Sequence, residues 1–359
     1  MGTCKHCGAV SDEIAEVLSL CATCIRERAQ DLRPELDEIH AQTRRRFGLP
    51  GSPPSSERGV ACGLCQNACR IPPGGRGYCG LRRNEDGHLT GGTPQEAAVS
   101  WYFDPLPTNC VGDWVCGEGS SASHRRRRRT RLNLAVFYEA CTFNCLFCQN
   151  WHYRRRLRGK RTHTAEELAE SVTRETACLC YFGGDPTCQL PHALAVSTLA
   201  LKKNPNRTLR ICWETNGSMD PTLLEQIMDL SLQSGGCVKF DLKAASPSIH
   251  YALCGVDNAR TMENFAAAAR RIPERPQPPP LIASTLLIPG YVDAREVARI
   301  ASFVAGLDPN IPYALLGFHG DFLMTDLPST SWQQAQDCLA AARQAGLANV
   351  RLGNLHILR

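Results

Sequence analysis

The chain has 359 residues, 43% of them hydrophobic, and is therefore long enough to bury one large core or two smaller ones. Its net charge of +5 is modest, no run approaches the roughly 18 consecutive apolar residues of a spanning helix, and Met1 to Lys5 lack the apolar stretch of a signal peptide. This composition argues against a disordered, secreted or membrane protein, so we expect a cytoplasmic protein without membrane contact.

Twenty cysteines are the most unusual feature of the composition. In a secreted protein they would indicate disulfides, but here they fall in short-spaced groups and the sequence shows no signal peptide. Ligation of metal ions or iron–sulfur clusters explains such groups better. We therefore expect a reducing compartment.

The first cysteine group has the two-pair spacing of a zinc ribbon and consists of Cys4, Cys7, Cys21 and Cys24. We expect it to bind a structural zinc ion, with His6 as a less favoured substitute ligand. A helix is predicted from about Ile25 to Arg46, and the proline-rich stretch from Pro50 to Pro54 marks a linker. Residues 1–50 are thus interpreted as a zinc-ribbon-like segment followed by a helix.

The second group lies among glycines and prolines and consists of Cys62, Cys65, Cys69 and Cys79. A segment so rich in turn residues needs a bound metal to hold its shape. Four thiolates bind either zinc or an auxiliary iron–sulfur cluster, and the spacing does not separate the two, although a structural metal is slightly favoured. Cys110 and Cys116 could extend this site. We assign residues 51–130 to this second metal-binding segment and a basic loop.

Two basic runs follow. Arg125 to Arg129 form one, and the other lies between Arg154 and Arg161. Such runs are usually solvated loops, but either could contact an anionic partner, which leaves nucleic-acid binding open.

From Leu132 onward, short apolar runs alternate with helical patterns, as in repeated βα units around a parallel sheet. The predicted strands are Leu132–Tyr138, Leu179–Phe182, Leu209–Glu214, Cys237–Leu242, Leu281–Leu287 and Ala314–Phe318. The predicted helices are Ala165–Thr176, Pro191–Asn204, Pro221–Ser234, Ala259–Arg271, Asp293–Leu307 and Ser331–Ala345. Thr164 with Glu167, and Ser329, are the predicted N-caps. We expect an α/β fold in which residues 131–359 form a partial (β/α)6 TIM-type barrel, with ligands at the carboxyl ends of its strands.

Directly after the first of these strands comes a CX3CX2C loop with Cys141, Cys145 and Cys148. Three thiolates on a [4Fe-4S] cluster leave one iron open, and that iron can chelate the amino and carboxylate groups of S-adenosylmethionine (SAM). One electron passed to the sulfonium then yields a 5′-deoxyadenosyl radical that abstracts hydrogen. Phe147 could pack against adenine. A zinc site or simple core packing is a weaker explanation, because zinc usually takes four ligands.

The CX3CX2C loop resembles that of the radical SAM superfamily, and the stretch Cys145 to Asn150 is similar to the branch that contains the glycyl-radical-enzyme (pyruvate formate-lyase) activating enzymes and the radical enzyme of the AmmeMemoRadiSam system. The likeness runs from about Val60 to the C-terminus. It includes the second cysteine group and, near the end, the Asp326-Leu-Pro328 motif.

The resemblance also implies which residues bind SAM. Gly183, Gly184 and Asp185 match the segment whose carbonyls accept from the SAM ammonium, although Asp185 stands where many members have Glu. Thr215 and Asn216 match a polar stretch that points to the site. Asp241 and Lys243 match side chains that contact the sugar hydroxyls and the methionine carboxylate. Pro289 matches a segment over adenine, and His319 matches a histidine near the ribose.

The function implied is that of a radical SAM enzyme, oxidoreductase or activase in type, that activates a glycyl radical enzyme. Radical modification of a small molecule or another macromolecule is the alternative within this class. The resemblance also implies an electron donor such as flavodoxin or ferredoxin and is compatible with a protein substrate. The competing class is a zinc-ribbon nucleic-acid-binding protein, which leaves the three-cysteine loop unexplained.

Overall fold

The computed structural model describes residues 1–106, 110–118, 131–157 and 162–359. The chain begins with a two-stranded antiparallel ribbon of β1 (Gly2–Thr3) and β2 (Val10–Ser11), followed by helices α1 (Ala22–Glu27) and α2 (Ala29–Arg45). The single helix predicted from Ile25 to Arg46 is thus two helices. Arg28 separates them because its backbone (φ −120°, ψ 31°) is not helical.

The second cysteine segment contains two small hairpins. β3 (Val60–Ala61) pairs with β4 (Arg70–Ile71), and β5 (Arg83–Glu85) pairs with β6 (His88–Thr90). The turn between β5 and β6 is Asp86-Gly87, and both residues have positive φ angles (50° and 86°). A two-residue hairpin turn with this conformation matches the right-handed twist of its strands.

A nine-stranded sheet forms the centre of the molecule. Its strands are β7 (Glu96–Pro105), β8 (Leu132–Tyr138), β9 (Thr162–Thr164), β10 (Thr176–Gly183), β11 (Arg210–Thr215), β12 (Val238–Asp241), β13 (Leu281–Leu287), β14 (Tyr313–Gly317) and β15 (Val350–Gly353). The spatial order is β15-β14-β13-β12-β11-β10-β8-β7-β9. Every pairing from β8 to β15 is parallel, whereas β7 runs antiparallel to β8 and β9. The carboxyl ends of seven strands therefore meet at one edge.

Helices connect these parallel strands. They are α3 (Tyr153–Arg156), α4 (Ala165–Glu170), α5 (Leu190–Lys203), α6 (Pro221–Ser234), α7 (Pro247–Cys254), α8 (Ala259–Ala269), α9 (Ala294–Leu307) and α10 (Trp332–Gln344). None of the helices in the described ranges has the length and apolar character that a membrane crossing requires.

The predicted alternation of strands and helices is present, so the α/β class is confirmed. The six predicted strands correspond to β8 and β10 to β14, whereas β7, β9, β15, α3 and α7 were not predicted. Thr164 and Glu167 form the expected capping box, with N–H to side-chain oxygen distances of 3.1 Å in both directions. The cap predicted at Ser329 is wrong, because α10 begins later and its first turn is capped by Ser331, which accepts from Gln334 N at 3.1 Å.

The N-terminal segment packs against the domain that contains the nine-stranded sheet. The buried hydroxyl of Tyr291 accepts from Ala15 N (3.0 Å) and donates to Leu20 O (2.9 Å). Arg26 forms an ion pair of 3.2 Å with the fully buried carboxylate of Glu296. These contacts link the first cysteine group to the loop after β13 and to α9.

Candidate active site

A cavity of about 690 Å³ lies at the carboxyl ends of the parallel strands. It brings together most of the side chains that the sequence singled out. The predicted site residues that line it are Cys141, Cys145, Phe147, Cys148, Gly183, Gly184, Asp185, Thr215, Asn216, Asp241 and Lys243. Residues from four separate segments of the chain therefore face one volume, as expected for strand-end motifs in repeated βα units.

The three-cysteine loop is held in place by the end of α7. Asn144 N donates to Cys254 O (2.8 Å), and Leu146 N donates to Leu253 O (3.0 Å). The Sγ atoms of Cys145 and Cys254 are 3.6 Å apart, but Cys254 does not line the cavity. Cys254 therefore stands behind the loop, and its thiol lowers the pKa of Cys145 by hydrogen bonding.

The same loop is supported from beneath by α2. Asn144 Nδ2 lies 2.8 Å from both His40 Nδ1 and Thr43 Oγ1. His40 is buried, and burial lowers its pKa to about 4, so its ring is neutral and one nitrogen can accept from Asn144. The helix that follows the first cysteine group thus positions the three-cysteine loop.

A buried cation accompanies the loop. Arg154 is 1% exposed and donates to Asn144 Oδ1, and its guanidinium carbon lies 4.9 Å from the ring centre of Phe322. Burial alone would lower the pKa of Arg154. The electrostatic effect of Tyr153 and the three loop cysteines is larger, so the pKa of Arg154 is raised. A fixed positive charge beside three thiols favours their thiolate forms.

The glycine segment at the end of β10 packs directly on the strand that precedes the cysteine loop. A Cβ on Gly184 would lie 1.9 Å from Ala140 O, and Gly183 has a φ of +105° that L side chains rarely adopt. Gly184 N donates to Tyr138 O (2.9 Å), and Asp185 N donates to Ala140 O (2.8 Å). Only glycine allows this approach of two backbones.

The Asp185 carboxylate is turned into the protein. It accepts from Thr187 N (2.8 Å), Asn216 N (2.7 Å) and Thr215 Oγ1 (3.1 Å). Burial raises its pKa, while these donors act in the opposite direction. Although Asp185 also lines the cavity, its contacts are those of a residue that positions the loop after β11.

Asn216 in turn connects that loop to the cysteines. Its Nδ2 lies 2.7 Å from Thr142 Oγ1 and 3.8 Å from Cys141 Sγ. Asn216 O accepts from Thr261 Oγ1 at 2.7 Å. The amide is therefore fixed between the cysteine loop and α8.

Asp241 ends β12, Lys243 follows the strand, and the two side chains form an ion pair on the cavity wall. Lys243 Nζ is 5.6 Å from the centre of the Phe147 ring. Burial alone would lower the pKa of Lys243, but Asp241 and Cys145 outweigh it, so the pKa is raised and the ammonium persists. A carboxylate, an ammonium and an aromatic face thus lie together at one end of the cavity.

Two predicted residues lie elsewhere. Pro289 and His319 follow β13 and β14, but neither lines the cavity, and His319 Nδ1 lies 3.3 Å from Gly320 O. The cavity wall contributed by these strands comes instead from Ser284, Leu286, Ala314 and Leu316. The SAM contacts assigned to Pro289 and His319 stay predictions.

Sequence reasoning missed a second ion pair inside the cavity. Glu214 on β11 and Lys239 on β12 are register neighbours, and their side chains are 2.8 Å apart. Burial raises the pKa of Glu214, and Lys239 acts against that effect. The sequence could have indicated this pair, because Lys239 lies two positions before Asp241 in a buried strand and therefore on the same face of the sheet as Asp241.

The first cysteine group is compact. The Sγ atoms of Cys4, Cys7, Cys21 and Cys24 all lie within 4.8 Å of one another, which suits one metal ion. His6 is turned towards Glu35 and Arg28 instead.

The second group also converges, around a small cavity of its own, together with Thr142 and Cys188. Its members Cys62, Cys65, Cys69 and Cys79 line that cavity. Cys110 does not join them, since its Sγ lies 3.4 Å from Lys239 Nζ on the wall of the large cavity. The run Arg125 to Arg129, and Arg158, Lys160 and Arg161, lie outside the described residues.

Comparison with known proteins decides the class. The model of the radical SAM superfamily matches residues 135–304, which include the end of β8, the three-cysteine loop and β9 to β13. Residues 135–304 therefore form a radical SAM domain, which indicates an enzyme. Among the described residues, the cysteines of the radical SAM loop are not part of any group whose ligand atoms all lie within 4.8 Å of one another. That wider spacing fits a multi-iron cluster, whose thiolates bind different irons.

Individual relatives agree with this class. The chain is 31% identical to the isethionate sulfite-lyase activating enzyme of Desulfovibrio desulfuricans, over 46% of this chain and 49% of that protein. It is 28% identical to the pyruvate formate-lyase 1-activating enzyme of Escherichia coli K12, over 52% of this chain and 74% of that protein. The match to the first thus spans about half of its length. A crystal structure of a domain of pyruvate-formate lyase-activating enzyme from Bacteroides vulgatus aligns with a TM-score of 0.38 and 22% identity, covering 49% of this chain and 98% of that one.

Proposed function

We propose that this radical SAM enzyme cleaves SAM reductively and uses the product radical to abstract hydrogen from a protein substrate. A [4Fe-4S] cluster bound by Cys141, Cys145 and Cys148 would supply the electron that converts SAM into methionine and a 5′-deoxyadenosyl radical. The observation that carries the proposal is the shared cavity. Three thiols of one loop face the same volume as a buried ion pair, an aromatic ring and two glycines.

The chain's own residues account for the parts of SAM. The carbonyls of Gly183 and Gly184 are suited to accept from its ammonium, because the absence of side chains leaves that backbone open. Lys243 is suited to its carboxylate and Asp241 to its ribose hydroxyls. Phe147, close to Lys243, offers a flat face to adenine. Asn216 keeps the first cysteine oriented through its contacts with Thr142 and Cys141.

A partial (β/α)6 barrel is the proposed form of the sheet around this cavity, because the parallel order of β8 to β15 and the lining by their side chains support it. The relatives named as activating enzymes support a protein substrate, with a glycine residue of a partner enzyme as the first candidate. An electron donor such as flavodoxin or ferredoxin completes the proposal.

The test is SAM cleavage by anaerobically reconstituted protein reduced with dithionite, with 5′-deoxyadenosine measured by chromatography. Cys145→Ala should lose the product, because one of three cluster ligands is removed. Cys338→Ala is the matched control, since Cys338 is also buried but lies in α10 and does not line the cavity. Unchanged 5′-deoxyadenosine in Cys145→Ala would refute the assignment. A colourless wild-type protein that contains only zinc would favour the nucleic-acid-binding alternative.

A further inference from the structure

The second cysteine group is built into the wall behind the radical SAM site. Gln66 N donates to Ser218 O (2.9 Å), and Asp220 N donates to Leu64 O (2.9 Å), so the segment pairs with the loop that follows β11. Asn67 Nδ2 donates to Thr142 O at 2.8 Å. The segment thus contacts both the loop that carries Asn216 and the loop that carries the three cluster cysteines.

The cavity enclosed by this group shares residues with both catalytic loops. Thr142, next to Cys141 in sequence, lines it, and so does Cys188, three residues beyond Asp185. Whatever occupies it is therefore adjacent to the radical SAM cluster site.

The lining of this cavity favours an occupant with negative charge. The four cysteines share this lining with Arg82, whose Nε is buried without a hydrogen-bond partner. One of its terminal nitrogens is anchored on Gly91 O at 2.7 Å, so the guanidinium is held in place. An anionic thiolate complex satisfies a cation fixed in this way.

The spacing of the thiols separates zinc from an iron–sulfur cluster. Tetrahedral zinc with bonds of about 2.3 Å holds its four sulfurs roughly 3.8 Å apart. The first cysteine group meets this condition, with all ligand atoms within 4.8 Å. Among the residues that the structure describes, no three cysteines of the second group have Sγ atoms that all lie within 4.8 Å of one another. The three cysteines of the radical SAM loop do not meet this condition either. Thiolates that bind different irons of one cluster lie farther apart than those on a single ion.

We infer that Cys62, Cys65, Cys69 and Cys79 hold a second [4Fe-4S] cluster, not zinc, directly beside the radical SAM cluster. With four protein ligands this cluster has no open iron and does not bind SAM. Cys188 supplies a fifth thiol at its edge without acting as a ligand. Because the second cluster lies next to Thr142, it is the neighbour from which an electron would reach the catalytic site.

Metal and sulfide analysis of the anaerobically reconstituted whole protein tests this inference. Wild type should contain about eight iron and eight sulfide per chain, and Cys145→Ala about four of each. Reduced Cys145→Ala should keep an electron paramagnetic resonance (EPR) signal that does not respond to SAM, and the added Cys65→Ala substitution should remove it. Cys188→Ser is the matched control, which should retain the iron of wild type.

Wild-type protein with about four iron and two zinc per chain would overturn the inference, and so would four iron with one zinc. The wild-type count does not depend on the folding of any variant. It is also independent of SAM cleavage. If the protein contains four iron atoms and forms 5′-deoxyadenosine, only the second cluster is refuted. If it contains eight iron atoms and does not form 5′-deoxyadenosine, only the proposed function is refuted.

Discussion

Replacing Asp185 by Asn tests whether this carboxylate positions the loop after β11 or binds SAM directly. The substitution keeps the shape of the side chain but turns one oxygen into an NH₂ group. Because Oδ1 accepts from Thr187 N and Oδ2 from Asn216 N, the new NH₂ group faces a backbone donor in either amide orientation. The Thr215 hydroxyl can rotate to accept, so it does not add to the cost.

The magnitude follows from the one hydrogen bond that must be lost. A bond to a charged acceptor contributes about 1.5–3 kcal/mol, and the site is buried, so solvent does not replace it. We expect Asp185→Asn to lower the free energy of unfolding by about 2–3 kcal/mol. Asp220→Asn is the matched control. Asp220 accepts from Thr222 N at 2.9 Å as a half-buried helix N-cap, where Asn serves as well as Asp, so its cost should be near zero.

Anaerobic urea unfolding, followed by tryptophan fluorescence to which the fully buried Trp213 contributes, measures both variants. SAM affinity of the folded proteins is measured in parallel. If Asp185→Asn weakens SAM binding but leaves the unfolding free energy within about 0.5 kcal/mol of wild type, the positioning role is refuted and direct SAM contact is favoured.

Three further predictions use other parts of the structure. Burial lowers the pKa of His40 from 6.5 to about 4 in the folded protein, so the unfolded chain takes up a proton at a higher pH than the folded chain. The free energy of unfolding should therefore fall as pH falls through this window, by up to about 3 kcal/mol. His40→Gln should reduce the slope of the unfolding free energy against pH. Gly184→Ala should abolish SAM binding because its Cβ meets Ala140 O, whereas Gly306→Ala, in open space within α9, should leave it intact. Cys21→Ala should lower zinc content and the melting temperature of the N-terminal segment while SAM cleavage persists; loss of cleavage in a folded variant would show that the segment is needed for catalysis.

The strand-end motifs could be located from sequence because parallel βα units bring their carboxyl ends to one edge. For this reason Gly183, Thr215 and Asp241 share a cavity although they are far apart in the chain. Pro289 and His319 were placed by the same rule, but they lie beyond the ends of β13 and β14, outside the cavity wall. Alternation within the strands, not the residues after them, determines what faces the cavity there.

Features that depend on tertiary contacts were not accessible from sequence. β7 pairs with β8 across an intervening stretch of chain, and its mixture of polar and aromatic residues gives no clear period. The support of Asn144 by His40 joins residues 104 positions apart. The cap at Ser331 was missed because Ser329 and Ser331 are both good N-caps, and the choice depends on where the helix packs.

The most direct test of the radical SAM assignment is the EPR spectrum of the reduced wild-type protein before and after SAM is added. Coordination of SAM to the open iron of a cluster on Cys141, Cys145 and Cys148 should change the signal, and Cys145→Ala should lack the change. A wild-type spectrum that SAM leaves unaltered would contradict the account, because the three-cysteine loop would then not present an open iron to this cavity.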